Sequence, residues 1–156
     1  MLNVHTSGGK AMMKAAAEAA RSKARAITVT PPTLLGVTVL TSLSDADLAD
    51  VGFHSPVAEE VARLAALAYA SGLNGVVASP HEISLIRKIC PAGFLIVTPG
   101  VRPPDTTEDD QKRVLTPREA IYAGADYLVI GRPILQASDP KTAAQKILDD
   151  MAGALV

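Results

Sequence analysis

Gly93-Phe-Leu-Ile-Val-Thr-Pro-Gly-Val-Arg102 and, thirty residues later, Tyr127-Leu-Val-Ile-Gly-Arg132 decide the reading of this chain. Each is a short apolar run followed by a glycine and an arginine. A continuous run of Val, Ile and Leu marks a strand buried on both faces, as in a parallel sheet covered by helices. Glycine at such a strand end lets backbone N–H groups approach a ligand, and arginine offers a planar fork to two phosphate oxygens. Thirty residues is about one strand–helix–strand step, which is how the last two loops of a (β/α)₈ barrel build a phosphate cradle. A phosphorylated small molecule is the expected ligand.

Outward from these two strands, strand and helix signals alternate over the whole chain. Apolar runs at 2–5, 35–40, 75–78, 95–98 and 127–130 read as five strands. An Ala-rich helix over 10–22 follows Ser7-Gly8-Gly9, and a short helical turn lies within 42–51. Ser55-Pro56 is expected to cap a longer helix whose stripe is Val57, Val61, Leu64 and Ala68, with Gly72 ending it. Ser79-Pro-His-Glu82 and Thr116-Pro-Arg-Glu119 both read as capping boxes with proline at the first helical position, opening helices to Cys90 and Gly124. Asp139-Pro140 caps the last helix, with Ala144, Ile147, Leu148, Met151 and Leu155 on one face. Five strand–helix units in one domain over 1–156 imply an α/β fold with a parallel sheet and right-handed crossovers. Five are too few to close a barrel of eight, and periodicity alone leaves an open doubly wound sheet in play. The phosphate signals at the last two strands favour a partial TIM-type (β/α)₈ barrel.

Composition narrows the function classes. At 48% hydrophobic, with a mean hydropathy of +0.23, 156 residues can bury one sizeable core. Fifteen basic against sixteen acidic residues give a net charge of −1, which argues against nucleic acid and anionic membrane as partners. Aromatic residues make up 3% and Trp is absent, so no platform for stacking bases is evident. No apolar run reaches a membrane-spanning length, and Met1-Leu-Asn-Val-His5 has no basic leader followed by an apolar segment. The single Cys90 excludes an internal disulfide and suits a cytoplasmic location. It ends a helix against Pro91, with no His beside it to make a reactive thiol. His54 and His81 lie in helix lead-ins without cysteine or carboxylate at metal-ligand spacing. His5 is expected to be a hydrogen-bonded structural histidine, and Ser7-Gly8-Gly9 a turn and cap.

Five segments in order carry a resemblance: Met1-Leu-Asn-Val-His-Thr-Ser-Gly-Gly9, Val37-Thr-Val-Leu-Thr-Ser42, Gly75-Val-Val-Ala-Ser79, Val97-Thr-Pro-Gly-Val-Arg-Pro103 and Asp126-Tyr-Leu-Val-Ile-Gly-Arg-Pro133. Together they resemble bacterial orotidine 5′-phosphate decarboxylase over essentially the whole chain. The resemblance implies strands four to eight of the barrel, and decarboxylation of orotidine 5′-phosphate to UMP without a cofactor. A homodimer or larger assembly is expected, because a five-strand piece leaves the apolar edges at Leu2–His5 and Tyr127–Ile130 unpaired. The family's catalytic Asp-x-Lys-x-x-Asp run, expected on the third strand, is not found in this sequence. No catalytic residue is therefore assigned, the chain is expected to be inactive alone, and Met1 falls where the family has an interior position. Two further readings stay open: a sister lyase resembling hexulose-phosphate synthase, which uses magnesium, and a non-catalytic partial barrel that binds a nucleotide phosphate.

The resemblance also assigns substrate-binding residues. Gly131 and Arg132 match the family's phosphate pair after the eighth strand, and Arg102 its arginine beyond the seventh. Read alone, these are strand-end charges on the surface. Gln111 lies in a polar stretch, 105–113, of a length reserved for lids or disorder. Read alone it is a solvated loop glutamine; in the family the matching residue bridges the pyrimidine edge and the phosphate. Thr41 matches a position lining the base pocket, where a hydroxyl can meet a pyrimidine amide edge. Ser42 is its neighbour, and the pair could equally serve as a turn before the helix.

Overall fold

A computed structural model describes residues 1–103 and 115–153 of the chain. Five strands, β1 (Leu2–His5), β2 (Leu34–Val37), β3 (Gly75–Val77), β4 (Leu95–Thr98) and β5 (Tyr127–Leu128), form one all-parallel sheet in the order β1-β2-β3-β4-β5. Every strand pairs with its predecessor in sequence, so the winding never reverses. A doubly wound sheet needs a reversal, which makes the switch point where such folds bind ligands. The unreversed order therefore decides for the barrel type of winding, with all crossovers on one face.

The helices covering that face are α1 (Gly9–Ala26), α2 (Asp45–Asp50), α3 (Val57–Ala70), α4 (Ile83–Ile89), α5 (Pro117–Ala123), α6 (Arg132–Leu135) and α7 (Pro140–Ala152). The core lies between them and the sheet: Leu34, Val76 and Ile96 from the strands meet Met13, Ala17, Val61, Leu64, Ala68, Ile83 and Ile86 from the helices. Side chains alternate across a strand, so the rows Asn3–Leu35–Gly75–Leu95 and His5–Val37–Val77–Val97–Tyr127 line the other face. The sequence leads one to expect open Val, Ile and Leu there. Instead Leu35, Val37 and Val97 are buried and Val77 and Leu95 half-buried, with Tyr127 exposed at the end of its row. A sheet that curves toward closure draws the inner side chains of its central strands over one another. The exposed apolar groups sit at the rim, on Leu2, Leu40, Tyr127 and Val129.

Local chemistry explains most boundaries. Thr116 and Glu119 make the expected reciprocal capping box before α5, and Gly124 ends that helix at φ 108°. Asp139 accepts from Lys141 and Thr142 N–H groups to open α7. Two caps differ from expectation. Ser55 does not cap α3; Asp45 of α2 accepts the Val57 N–H at 2.7 Å, tying the two helices together. At 79–82 the chain winds as a 3₁₀ turn (Pro80–Glu82), so the Glu82 N–H goes to the Ser79 carbonyl and the Ser79 hydroxyl takes the His81 N–H. On α7, Ile147 is buried but Leu148 is exposed, so the apolar face is narrower than its sequence suggests; Leu155 lies outside the described residues.

Gly75 shows how closely the strands approach. A Cβ built there would stand 2.3 Å from the Leu95 carbonyl oxygen and 2.6 Å from its Cβ. Backbone of a paired strand cannot yield as a flexible side-chain end does. Gly75→Ala is expected to destabilise the fold by about 1–3 kcal/mol, the usual cost of overpacking. Chemical denaturation measures it; a midpoint shift near zero would show that β3 and β4 can move apart freely.

Candidate functional site

In a parallel sheet all strand C-termini share one edge, and the residues singled out from the sequence gather there. Thr41 follows β2, Arg102 follows β4, and Gly131 and Arg132 follow β5. β4 and β5 are hydrogen-bonded neighbours, so the two arginine segments leave the sheet side by side, from strands about 5 Å apart. Thr41 stands two strands away from β4, about 10 Å across the sheet. Its residue is only 7% exposed, which suits a group facing an enclosed region. Gln111 lies outside the described residues, as does the stretch 105–113.

The Arg102 segment is built by a tight turn and a bridge. Gly100 has φ 75°, a left-handed conformation that a β-branched or bulky residue resists. The turn places Val101, fully buried, in a parallel bridge with Leu115. The Arg102 N–H donates to the Leu115 carbonyl at 3.0 Å, and its Nη1 to the Val101 carbonyl at 3.0 Å. Val101 and Arg102 are thereby held to Leu115. The half-buried Arg102 guanidinium is fixed close to its own backbone.

Gly131 and Arg132 sit where β5 gives way to α6. β5 is shorter than expected: only Tyr127 and Leu128 belong to the ladder, although the Val129 N–H still bonds the Thr98 carbonyl at 2.9 Å. Ile130 and Gly131 turn out of the sheet, and Arg132 is the first residue of the four-residue α6, with Pro133 in its first turn. Gly131 takes φ −109°, and among the described residues a Cβ there would meet nothing within 4 Å. Packing among the described residues does not require a glycine there.

Among the described residues, two cavities lie elsewhere. One of about 150 Å³ opens at the C-terminal ends of β1 and β2, lined by His5, Thr38, Leu40, Leu43, Phe53 and Glu60, among others. His5, expected as a hydrogen-bonded structural histidine, is exposed there. Glu60 was not signalled by the sequence; it is 3% exposed and paired with Arg63 of the same helix, which neutralises it. The other, about 120 Å³, lies at the opposite edge near Arg21, Pro32 and Asn74. Both are smaller than small-molecule pockets usually are, about 300 Å³ and above, and neither is lined by Thr41, Arg102 or Arg132. Burial pushes the Cys90 thiol up, toward the inert form, against a smaller opposing pull from Arg87. Among the described residues no group of three or more His, Cys, Asp or Glu side chains is placed to hold a metal ion, and no helix is long and apolar enough to cross a membrane.

Comparison with known proteins covers nearly the whole chain. The model of the orotidine 5′-phosphate decarboxylase / HUMPS family matches residues 1–147. The orotidine 5′-phosphate decarboxylase of Syntrophotalea carbinolica is 56% identical over 155 residues, covering 99% of this chain and 64% of that protein. That of Moorella thermoacetica is 55% identical over 148 residues, 94% of this chain and 59% of the relative. The crystal structure of orotidine 5′-phosphate decarboxylase from Lactobacillus acidophilus superposes with a TM-score of 0.81 at 37% identity, covering 97% of this chain and 63% of that one. The chain thus spans about three-fifths of the length of the relatives it matches.

Proposed function

The chain belongs to the orotidine 5′-phosphate decarboxylase / HUMPS family, and from that premise we propose that it forms the substrate-gripping part of an enzyme converting orotidine 5′-phosphate to UMP and CO₂. In this reading its five units are strands four to eight of the barrel, the C-terminal portion of a cytoplasmic enzyme of pyrimidine synthesis. Arg132 and the Gly131 backbone hold the phosphate, Arg102 closes on it from β4, and Thr41 meets the pyrimidine edge. Gln111 bridges base and phosphate. The reaction uses no cofactor, because a preorganised site supplies the charge stabilisation and the proton. Those groups belong to the Asp-x-Lys-x-x-Asp run that this sequence lacks. Phosphate binding contributes to rate only when coupled to the reacting end, so the chain alone binds and does not turn over.

The observation that carries this reading is Gly131. Among the described residues nothing stands within 4 Å of a Cβ at Gly131, which leaves room for a ligand approaching from outside. Gly131→Ala is accordingly expected to leave the unfolding midpoint within about 0.5 kcal/mol of the parent. UMP affinity should nevertheless fall about tenfold, with uridine affinity unchanged, by calorimetric titration of both ligands. Equal losses for the two ligands, or no UMP binding by the parent chain, would count against it. The sister aldol reaction is the alternative inside the family. The relatives, named as decarboxylases at up to 56% identity, favour the decarboxylase.

A further inference from the structure

β5 is a weakly specified strand. Two residues, in register with Val97 and Thr98, join it to β4, and among the described residues no strand lies on its other side. So short a ladder tolerates slippage. Its register is held at the strand's entry, at the sheet edge opposite Arg132. Arg87 of α4 donates through Nη1 to the Phe94 carbonyl at 2.6 Å. Its Nε and Nη2 reach the Gly124 carbonyl at 3.1 and 2.7 Å, and Nη2 also meets Asp126 Oδ2 at 2.6 Å. That same carboxylate oxygen accepts the Ile96 N–H at 2.6 Å, while the Asp126 N–H donates to the Ile96 carbonyl at 3.0 Å. One guanidinium therefore joins the lead into β4, the end of α5 and the residue immediately before β5. A planar fork can serve three acceptors in this way; an ammonium on the same stem cannot.

We propose that Arg87 and Asp126 are positioning residues for the anion site at Gly131 and Arg132, an inference that rests on the phosphate reading of that pair. Five residues run from Asp126 to Gly131, about 16 Å of extended chain. A slip of one residue at Asp126 would carry Arg132 about 3.3 Å along the sheet and turn the intervening side chains to the opposite face. The clamp sets that register from a distance, touching no ligand itself.

The test uses the intact chain with Arg87→Gln and, as a milder change should that variant fail to fold, Asp126→Asn. Amide exchange is followed together with titration by UMP and uridine. The Val129 amide, bonded to Thr98, is expected to exchange about tenfold faster while amides of β2 and β3 keep parent rates. Preference for UMP over uridine is expected to fall about tenfold, and adding Arg87→Gln to Arg132→Ala should remove little more. Parent-like exchange at Val129 overturns the inference whatever the ligands do. Acceleration spread equally over β2 and β3 overturns it too, because that is the signature of a general stabiliser, and so do additive losses in the double variant. If Arg132→Ala alone leaves the UMP preference intact, the phosphate reading falls, and the Val129 amide still reports whether the clamp sets β5.

Discussion

Replacing Arg132 by alanine is expected to weaken UMP binding by about ten- to a hundredfold and to leave uridine binding unchanged. A charge-assisted contact contributes about 1.5–3 kcal/mol, and a half-buried guanidinium loses less of it to solvent than a fully exposed one. Arg132 is the first residue of the one-turn α6 and is not among the buried core residues, so its removal opens no void in the core. The unfolding midpoint should accordingly stay close to that of the parent. Titration of both ligands separates the outcomes: parallel losses would mean that Arg132 shapes the loop and does not hold the phosphate. Raising the salt concentration should erode the UMP preference of the parent and have little effect on that of the variant.

The strand ends were legible because they coincide with changes in residue type. Apolar runs stop at Gly100 and Gly131, and the two glycines differ in kind: Gly100 has a left-handed backbone angle, while at Gly131 a Cβ would meet nothing within 4 Å among the described residues. The extent of β5 was not legible. Val129 and Ile130 are as apolar as Tyr127 and Leu128, yet leave the ladder, and periodicity cannot register that departure. Helix α6 is one turn long, too short to carry a period. The Asp45 cap of α3 comes from twelve residues away, beyond any local capping pattern. Arg87 reads in sequence as an ordinary charge late in a helix. Its acceptors are 7 to 39 residues distant, and only the sheet brings them together.

The isolated 156-residue chain is expected to self-associate, or to associate with a chain carrying the complementary strand–helix units. β1 and β5 each pair with one neighbour, and their rim side chains are apolar: Leu2 is 56% exposed and Tyr127 48%. Charges or prolines usually blunt such edges, and Leu2–His5 has neither Lys, Glu nor Pro. Because the inner face is covered over its central strands, at Leu35, Val37 and Val97, the expected contact shifts toward its two borders. Sedimentation at micromolar concentration, with thermal unfolding alongside, reads the outcome. A concentration-independent monomer with one cooperative transition would show that edge pairing is not needed to hold the sheet. Substituting Leu2 by Lys should shift the distribution toward monomer if β1 is the joint.

The unreversed strand order bears on how the molecule is made as well as on what it is. Each strand finds its partner in the unit just completed, so no strand need be inserted between two that are already joined. The longest pairing step in the sheet, Leu35 to Gly75, spans a single crossover. A chain emerging from the ribosome can therefore dock its units one after another, each adding to a growing border, with loop-closure entropy met in small, similar steps. Growth by accretion also means that a border exists at every stage, so a piece ending at any unit boundary is left with the same kind of edge, ready for the next.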